Sequence, residues 1–145
     1  MSQDARRRLE ELLDREIHIA HLLAESLAAE RAALVGNSPD AVHERAAEKI
    51  NLLHALEKLE TERRSLWESP AAAGTGIAAA MAGRWRALMD LIAGCRTANE
   101  VNGHIIHVRQ SQVRQLIDIV RGGAPTTYGP RGQTNGTALR ALARA

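Results

Sequence analysis

Residues 31–42 read Arg-Ala-Ala-Leu-Val-Gly-Asn-Ser-Pro-Asp-Ala-Val, and this stretch decides the fold. Gly36-Asn37 is a helix stop, because both residue types tolerate the left-handed backbone that closes a C-terminus. Ser38-Pro39-Asp40 opens another helix at once. Ser38 can cap the free N–H groups, Pro39 suits a first turn, and Asp40 favours the positive end of the dipole. Two long helices separated by a break of about two or three residues must fold back as an antiparallel hairpin.

Working outward, the first helix is expected from Asp4 to Val35. Leu13, Ile17, Ala20, Ala24, Leu27 and Leu34 follow the alternating four-and-three spacing of a helical seam, with Arg31 as the one break. Leu9, Leu12 and Leu23 widen the stripe, as a helix packing on two neighbours requires. The second helix is expected over 39–68, its seam running through Val42, Ala46, Ile50, Leu53, Leu56 and Leu59 to Leu66 and Trp67. Residues 69–76, SPAAAGTG, read as a mobile loop. The third helix is expected over 77–121, through Met81, Trp85, Leu88, Ile92, Cys95, Asn99, Asn102, Ile106, Val113, Leu116 and Val120. Some 45 residues make roughly 65 Å of helix against about 45 Å for each hairpin arm, so this helix must project or bend. Gly83, Gly94 and Gly103 mark sites of close packing or bending along it.

The fold class is therefore all-α: an elongated antiparallel three-helix bundle, a helical hairpin plus one long third helix, with a flexible C-terminal tail. Residues 1–121 form the bundle domain and 122–145 the tail. Pro125, Gly129, Pro130, Gly132 and Gly136 forbid continuous helix there, whereas 137–144 can form a short amphipathic helix with Leu139 and Leu142 on one side. Eight residues are too few to hold a helix alone, so this piece folds only on docking.

Composition agrees with a rod. The chain has 45% apolar residues but no Phe, one Tyr and two Trp, enough to line the narrow seam between helices but thin around a deep pocket. The single Cys95 excludes an intramolecular disulfide and falls at a small core position, which suits a reduced setting. The start, MSQDARRRLEELL, has no apolar h-region, and no apolar run approaches the length needed to span a bilayer, so a cytoplasmic protein is expected. Residues 1–68 carry a net charge of −4 and residues 69–145 a net of +6. An acidic hairpin against a basic third helix explains this better than nucleic-acid binding, since the arginines are spread out and lack interleaved aromatics.

Catalytic equipment is missing: there is no strand-like run, no phosphate-cradling Gly-rich loop and no nucleophile elbow. Neither enzyme activity nor a cofactor is expected. The pairs His18/His21 and His104/His107 each share a helix face, but none of the four lies on the seam and no carboxylate completes a zinc motif. Solvated histidine is the better reading, with no metal. The Arg6-Arg7-Arg8 cluster reads as a solvated helix start.

Three features point to binding. Asn99 and Asn102, beside Gly103, put polar groups on the seam, either to fix helix register or to form a notch for a partner's backbone. Val113, Leu116, Ile117 and Val120 cluster where the third helix outruns the hairpin; they are either an apolar face awaiting a partner or ordinary core. Tyr128, the only tyrosine, sits in the Gly/Pro-broken tail, either as a docking anchor or packed back on the third helix.

Cys95, Asn99, Asn102, Gly103, Ile105 and Ile106, followed about 20 residues later by Thr127, Tyr128, Gly129 and Gly132, resemble the FlgN family of flagellar export chaperones. Lys49, Leu52, Leu53, Leu56, Leu59 and Arg63 fit the same pattern, so the likeness covers nearly the whole chain. The resemblance implies an all-α cytosolic chaperone that binds the C-terminal helical region of unassembled hook-associated (hook–filament junction) proteins. It implies delivery of them to the membrane export gate, with Tyr128 assigned to the gate. Val113, Leu116, Ile117, Val120, Leu139 and Leu142 are then the substrate-binding side chains, read as anchors for an amphipathic helix. The alternative is a structural or regulatory coiled-coil protein that pairs with itself, through the apolar face or the tail, or with another coiled coil.

Overall fold

The seam-spaced runs form three helices, α1 (Gln3–Val35), α2 (Pro39–Trp67) and α3 (Ile77–Val120), in a computed structural model that describes residues 3–72 and 77–122. The protein is all-α, and no strand occurs among the described residues. Asn37 adopts φ +55° at the close of α1, and the Gly36 N–H donates to the Ala32 carbonyl at 2.8 Å. Ser38 departs from expectation: it is extended at the N-cap of α2, but its hydroxyl makes no capping bond. The turn holds Ser38 by its main chain instead, its N–H on the Ala33 carbonyl at 3.2 Å and its own carbonyl on the Val42 N–H at 3.0 Å. Pro39 and Asp40 are left to start the helix. At the far end of α3, Gly122 takes φ +75°.

Cross-helix pairs give the topology. Arg8 meets Glu62, Glu16 meets Arg63 and Glu30 meets Lys49, so α2 runs antiparallel to α1. Arg84 meets Asp14, Cys95 meets Ala20 and Asn102 meets Leu27, so α3 runs parallel to α1. The path is up, down, up. α1 is the central member, packed along both neighbours, whereas α2 and α3 come close to each other at almost no point of their backbones.

The core is stacked in levels along α1. At its N-terminal end Leu9, Leu13, Ala20, Met81 and Leu88 cluster with Ala72. Further along, Leu23, Leu27, Leu53, Leu56 and Cys95 form a second cluster. Burying a leucine of this kind contributes about 1.5–3 kcal/mol. The segment after α2 differs from the expected mobile loop: Pro70–Ala72 wind into a 3-10 turn, and burial of the Ala72 methyl in the first cluster fixes it there. The remainder of that segment, 73–76, lies outside the described residues.

Several seam assignments change. Ile50, Trp67 and Trp85 are exposed, because the backbones of α2 and α3 pack closely along α1 and hardly along each other, so each buries a narrower stripe than a helix packed on two neighbours. Their places inside are taken by charged side chains, Glu16 and Glu30 of α1, Lys49 and Arg63 of α2. Gly83 and Gly94 are not sites of close packing: a Cβ at either would meet no atom within 4 Å.

Candidate partner-binding surface

The third helix is anchored by a buried polar seam. The Lys49 ammonium lies 3.0 Å from Glu30 Oε2, and donates to Asn99 Oδ1 at 3.0 Å. Asn102 Nδ2 donates to the Leu27 carbonyl and to Glu30 Oε1, both at 2.9 Å, and its Oδ1 accepts from Arg31 Nε at 3.0 Å. Arg31, the break in the first seam, thus reaches across to α3. Glu30, Lys49, Asn99 and Asn102 are all buried, and Gly103 beside them is buried too. Each polar head has a partner, as a low-dielectric site demands. Three helices meet here in one register, because sliding α3 by a turn would strand a charge and two amides.

A second buried pair lies toward the other end. Arg63 Nε donates to Glu16 Oε2 at 2.7 Å, and the guanidinium carbon sits 4.7 Å from the centroid of the Trp85 ring. Burial pushes the Glu16 carboxyl above its ordinary value, and the Arg63 charge opposes only part of that. Burial likewise raises the Cys95 thiol, whose Sγ faces the Ala20 carbonyl at 3.6 Å. A thiol so placed is a small core side chain and a poor nucleophile.

Beyond the polar seam α3 leaves the hairpin. Arg109 lines one shallow cleft with Asn37, Ser38 and Pro39, which puts the α1–α2 turn at its level. Residues 110–120 therefore run on past the turn by about 16 Å at the usual helical rise. On this extension Val113, Leu116, Ile117 and Val120 share one face at i, i+3, i+4 and i+7 spacing, and they are 55%, 61%, 44% and 85% exposed. Ile119 adds a further exposed side chain. Leu139, Leu142 and Tyr128 lie outside the described residues.

The other expected features resolve as follows. His18, His21, His104 and His107 all face solvent, and no group of three or more metal-ligating side chains occurs among the described residues. Arg6 pairs with Glu10 along α1, and Arg8 reaches across to Glu62 on α2. No helix among the described residues is long and apolar enough to cross a membrane. The buried ions went unread in the sequence. Their signal was positional, since Glu16 and Glu30 keep the three-and-four period of Leu9, Leu12, Ala20, Leu23, Leu27 and Leu34, and Lys49 and Arg63 keep that of Leu53, Leu56 and Leu59.

No curated protein and no solved structure matches the chain. A family model does, that of the FlgN protein, over residues 1–136. With nearly the whole length matched, and with an all-α rod in which Asn99 and Asn102 join α3 to the hairpin, the chain belongs to the FlgN family, chaperones of flagellum biogenesis rather than enzymes.

Proposed function

We propose that this protein is an export chaperone in the cytoplasm that binds the C-terminal helical region of unassembled flagellar hook-associated proteins, prevents their premature association and delivers them to the export gate. The observation that carries the reading is the uncovered apolar face of Val113, Leu116, Ile117 and Val120 on the free end of α3. Subunits awaiting polymerisation expose amphipathic helices, and a face with this spacing is what such a helix packs against. The polar seam of Asn99, Asn102 and Gly103 fixes the register of α3 and so holds that face at a constant position relative to the hairpin. Leu139 and Leu142 extend the substrate face from the tail, and Tyr128 docks on the cytoplasmic domain of the gate.

The test is calorimetric titration of the full chain with monomeric hook-associated protein, beside the double variant Leu116→Asp/Ile117→Asp. Loss of binding with unchanged helical circular dichroism supports the reading. Undiminished binding, or unfolding of the variant, refutes it. A chain whose double variant instead loses only self-association is the coiled-coil scaffold of the alternative. Tyr128→Ala should keep substrate affinity and weaken gate binding; equal loss of both, or of neither, rejects that division of labour.

A further inference from the structure

A different surface lies at the opposite end of the rod. Because α2 and α3 flank α1 without closing on each other, an open groove of about 580 Å³ remains between the end of α2 and the start of α3. Leu13 of α1 and the buried Met81 form its floor. Trp85 and Met89 continue the α3 wall at four-residue spacing, and Trp67 faces them from α2. Both indoles are more than 40% exposed, although each had a seam position available to it. The rim is basic: Arg63, Arg64 and Arg86 line the groove, and no carboxylate does among the described residues. Arg63 is tied to Glu16 and Arg64 to Glu60, while Arg86 has no ion pair among the described residues. The Arg63 guanidinium over the Trp85 ring fixes that wall in place.

We propose that this groove docks one amphipathic helix of a partner protein, with apolar anchors at i, i+3 or i+4, and i+7 and with Asp or Glu along its flanks. Three lines decide the occupant. The floor and walls are aliphatic, thioether and indole, which take helix anchors. The walls are two antiparallel helices about 12 Å long over Met81–Met89, room for two turns, so a fourth helix completes the bundle. The rim charge selects an acidic flank and rejects this chain's own tail, whose 137–144 segment carries Arg140 and Arg144 and no acid. The proposal does not depend on the reading of the far end of α3, roughly 45 Å away along the helix from Trp85 to Leu116.

Trp67 and Trp85 are the only tryptophans of the chain, so their emission reports on this groove alone. The probes are two synthetic peptides of about 18 residues with identical Leu anchors, one flanked by Glu and the other by Lys, titrated into the full chain. The Glu peptide is expected to give a saturable blue shift, with affinity at least tenfold above that of the Lys peptide. Arg86→Glu and Met89→Asp, both at exposed positions and so compatible with the fold, should each weaken it at least tenfold. Leu116→Asp/Ile117→Asp should leave it unchanged, so failure of this site and failure of the substrate face are separable. Equal affinity for the two peptides overturns the proposal, as does loss of binding in the Leu116/Ile117 variant. So does a saturable response to an oligothymidine, which would make the groove a nucleic-acid site. A concentration-dependent blue shift without peptide would assign it to a second copy, and emission already blue and peptide-insensitive would assign it to an internal segment; either also overturns it.

Discussion

Between Met81 and Gly103, α3 packs Met81, Leu88 and Cys95 against α1; between Val113 and Val120 the same helix, just as rich in aliphatics, buries none of its large apolar side chains among the described residues. Met81, Leu88 and Cys95 are buried, whereas Val113, Leu116 and Val120 are exposed by more than half. The boundary falls where polarity is concentrated, at the Glu30–Lys49–Asn99–Asn102 seam and the α1–α2 turn beside Arg109. Position along the rod, not residue type, decides what a leucine does here. The seam closes the shared core, and past it the helix is a post whose aliphatic side chains stand exposed.

The largest effect should come from breaking the seam. Lys49→Met leaves the Glu30 carboxylate buried without its cation and removes the donor to Asn99. Loss of one partner of a buried pair costs about 3–5 kcal/mol. The thermal midpoint should fall by roughly 10 °C in a melt followed by circular dichroism. A midpoint within about 2 °C of the parent would mean that the seam is not what anchors α3.

That seam also marks how far the sequence could be read. The hairpin was legible because Gly36-Asn37 and Ser38-Pro39-Asp40 are local signals, set by backbone conformations that need no tertiary knowledge. The all-α class was legible because the apolar period holds through each helix. Asn99 and Asn102 could be placed on the seam, but their partners could not be named. Lys49 and Glu30 are long charged side chains whose burial is favourable only once three helices bring their heads together, and the half-buried Arg31 joins them only then. Trp67 and Trp85 misled for the converse reason: apolar period alone cannot tell a closed bundle from one in which α2 and α3 stand apart.

Two glycines give the next effect and probe the joined half of α3 from its outer side. Gly83 and Gly94 sit in helical backbone with open space where a Cβ would go. Alanine at either should therefore raise stability by about 1 kcal/mol, through helix propensity and a less free unfolded chain. Urea denaturation of each single variant measures it. A loss of stability at either site would show that its outer face is covered and that α3 has a neighbour there.

The projecting half should respond far less. Leu116→Asp/Ile117→Asp removes two large apolar side chains, yet both are exposed and lie beyond the shared core. The global unfolding free energy should move by no more than about 0.5 kcal/mol. The same double change in the joined half, at Leu88 and Ile92, should unfold the chain outright. A similar loss at both places would erase the distinction between core and post.

The subtlest test concerns the second ion pair, Glu16 with Arg63, which joins α1 to α2 near the N-terminal end of the rod. Burial raises the Glu16 carboxyl above the ordinary 4.5, and the Arg63 charge and hydrogen bond pull it back only in part. A carboxyl raised in the folded state holds its proton more tightly there than in the unfolded chain. Its contribution to stability is fully present below 4.5 and is lost as pH rises through the folded value. In the window just above 4.5, acidification should therefore favour the native state through this group. Glu16→Gln removes the titration while keeping an oxygen that can accept from Arg63 Nε. Compared with the parent by urea unfolding from pH 7 down to 4.5, the variant should lose ground steadily as pH falls. A difference that is flat, or that shrinks toward acid, would mean that Arg63 outweighs burial and holds Glu16 fully ionised. The pair would then be a net electrostatic brace between α1 and α2 rather than a strained one.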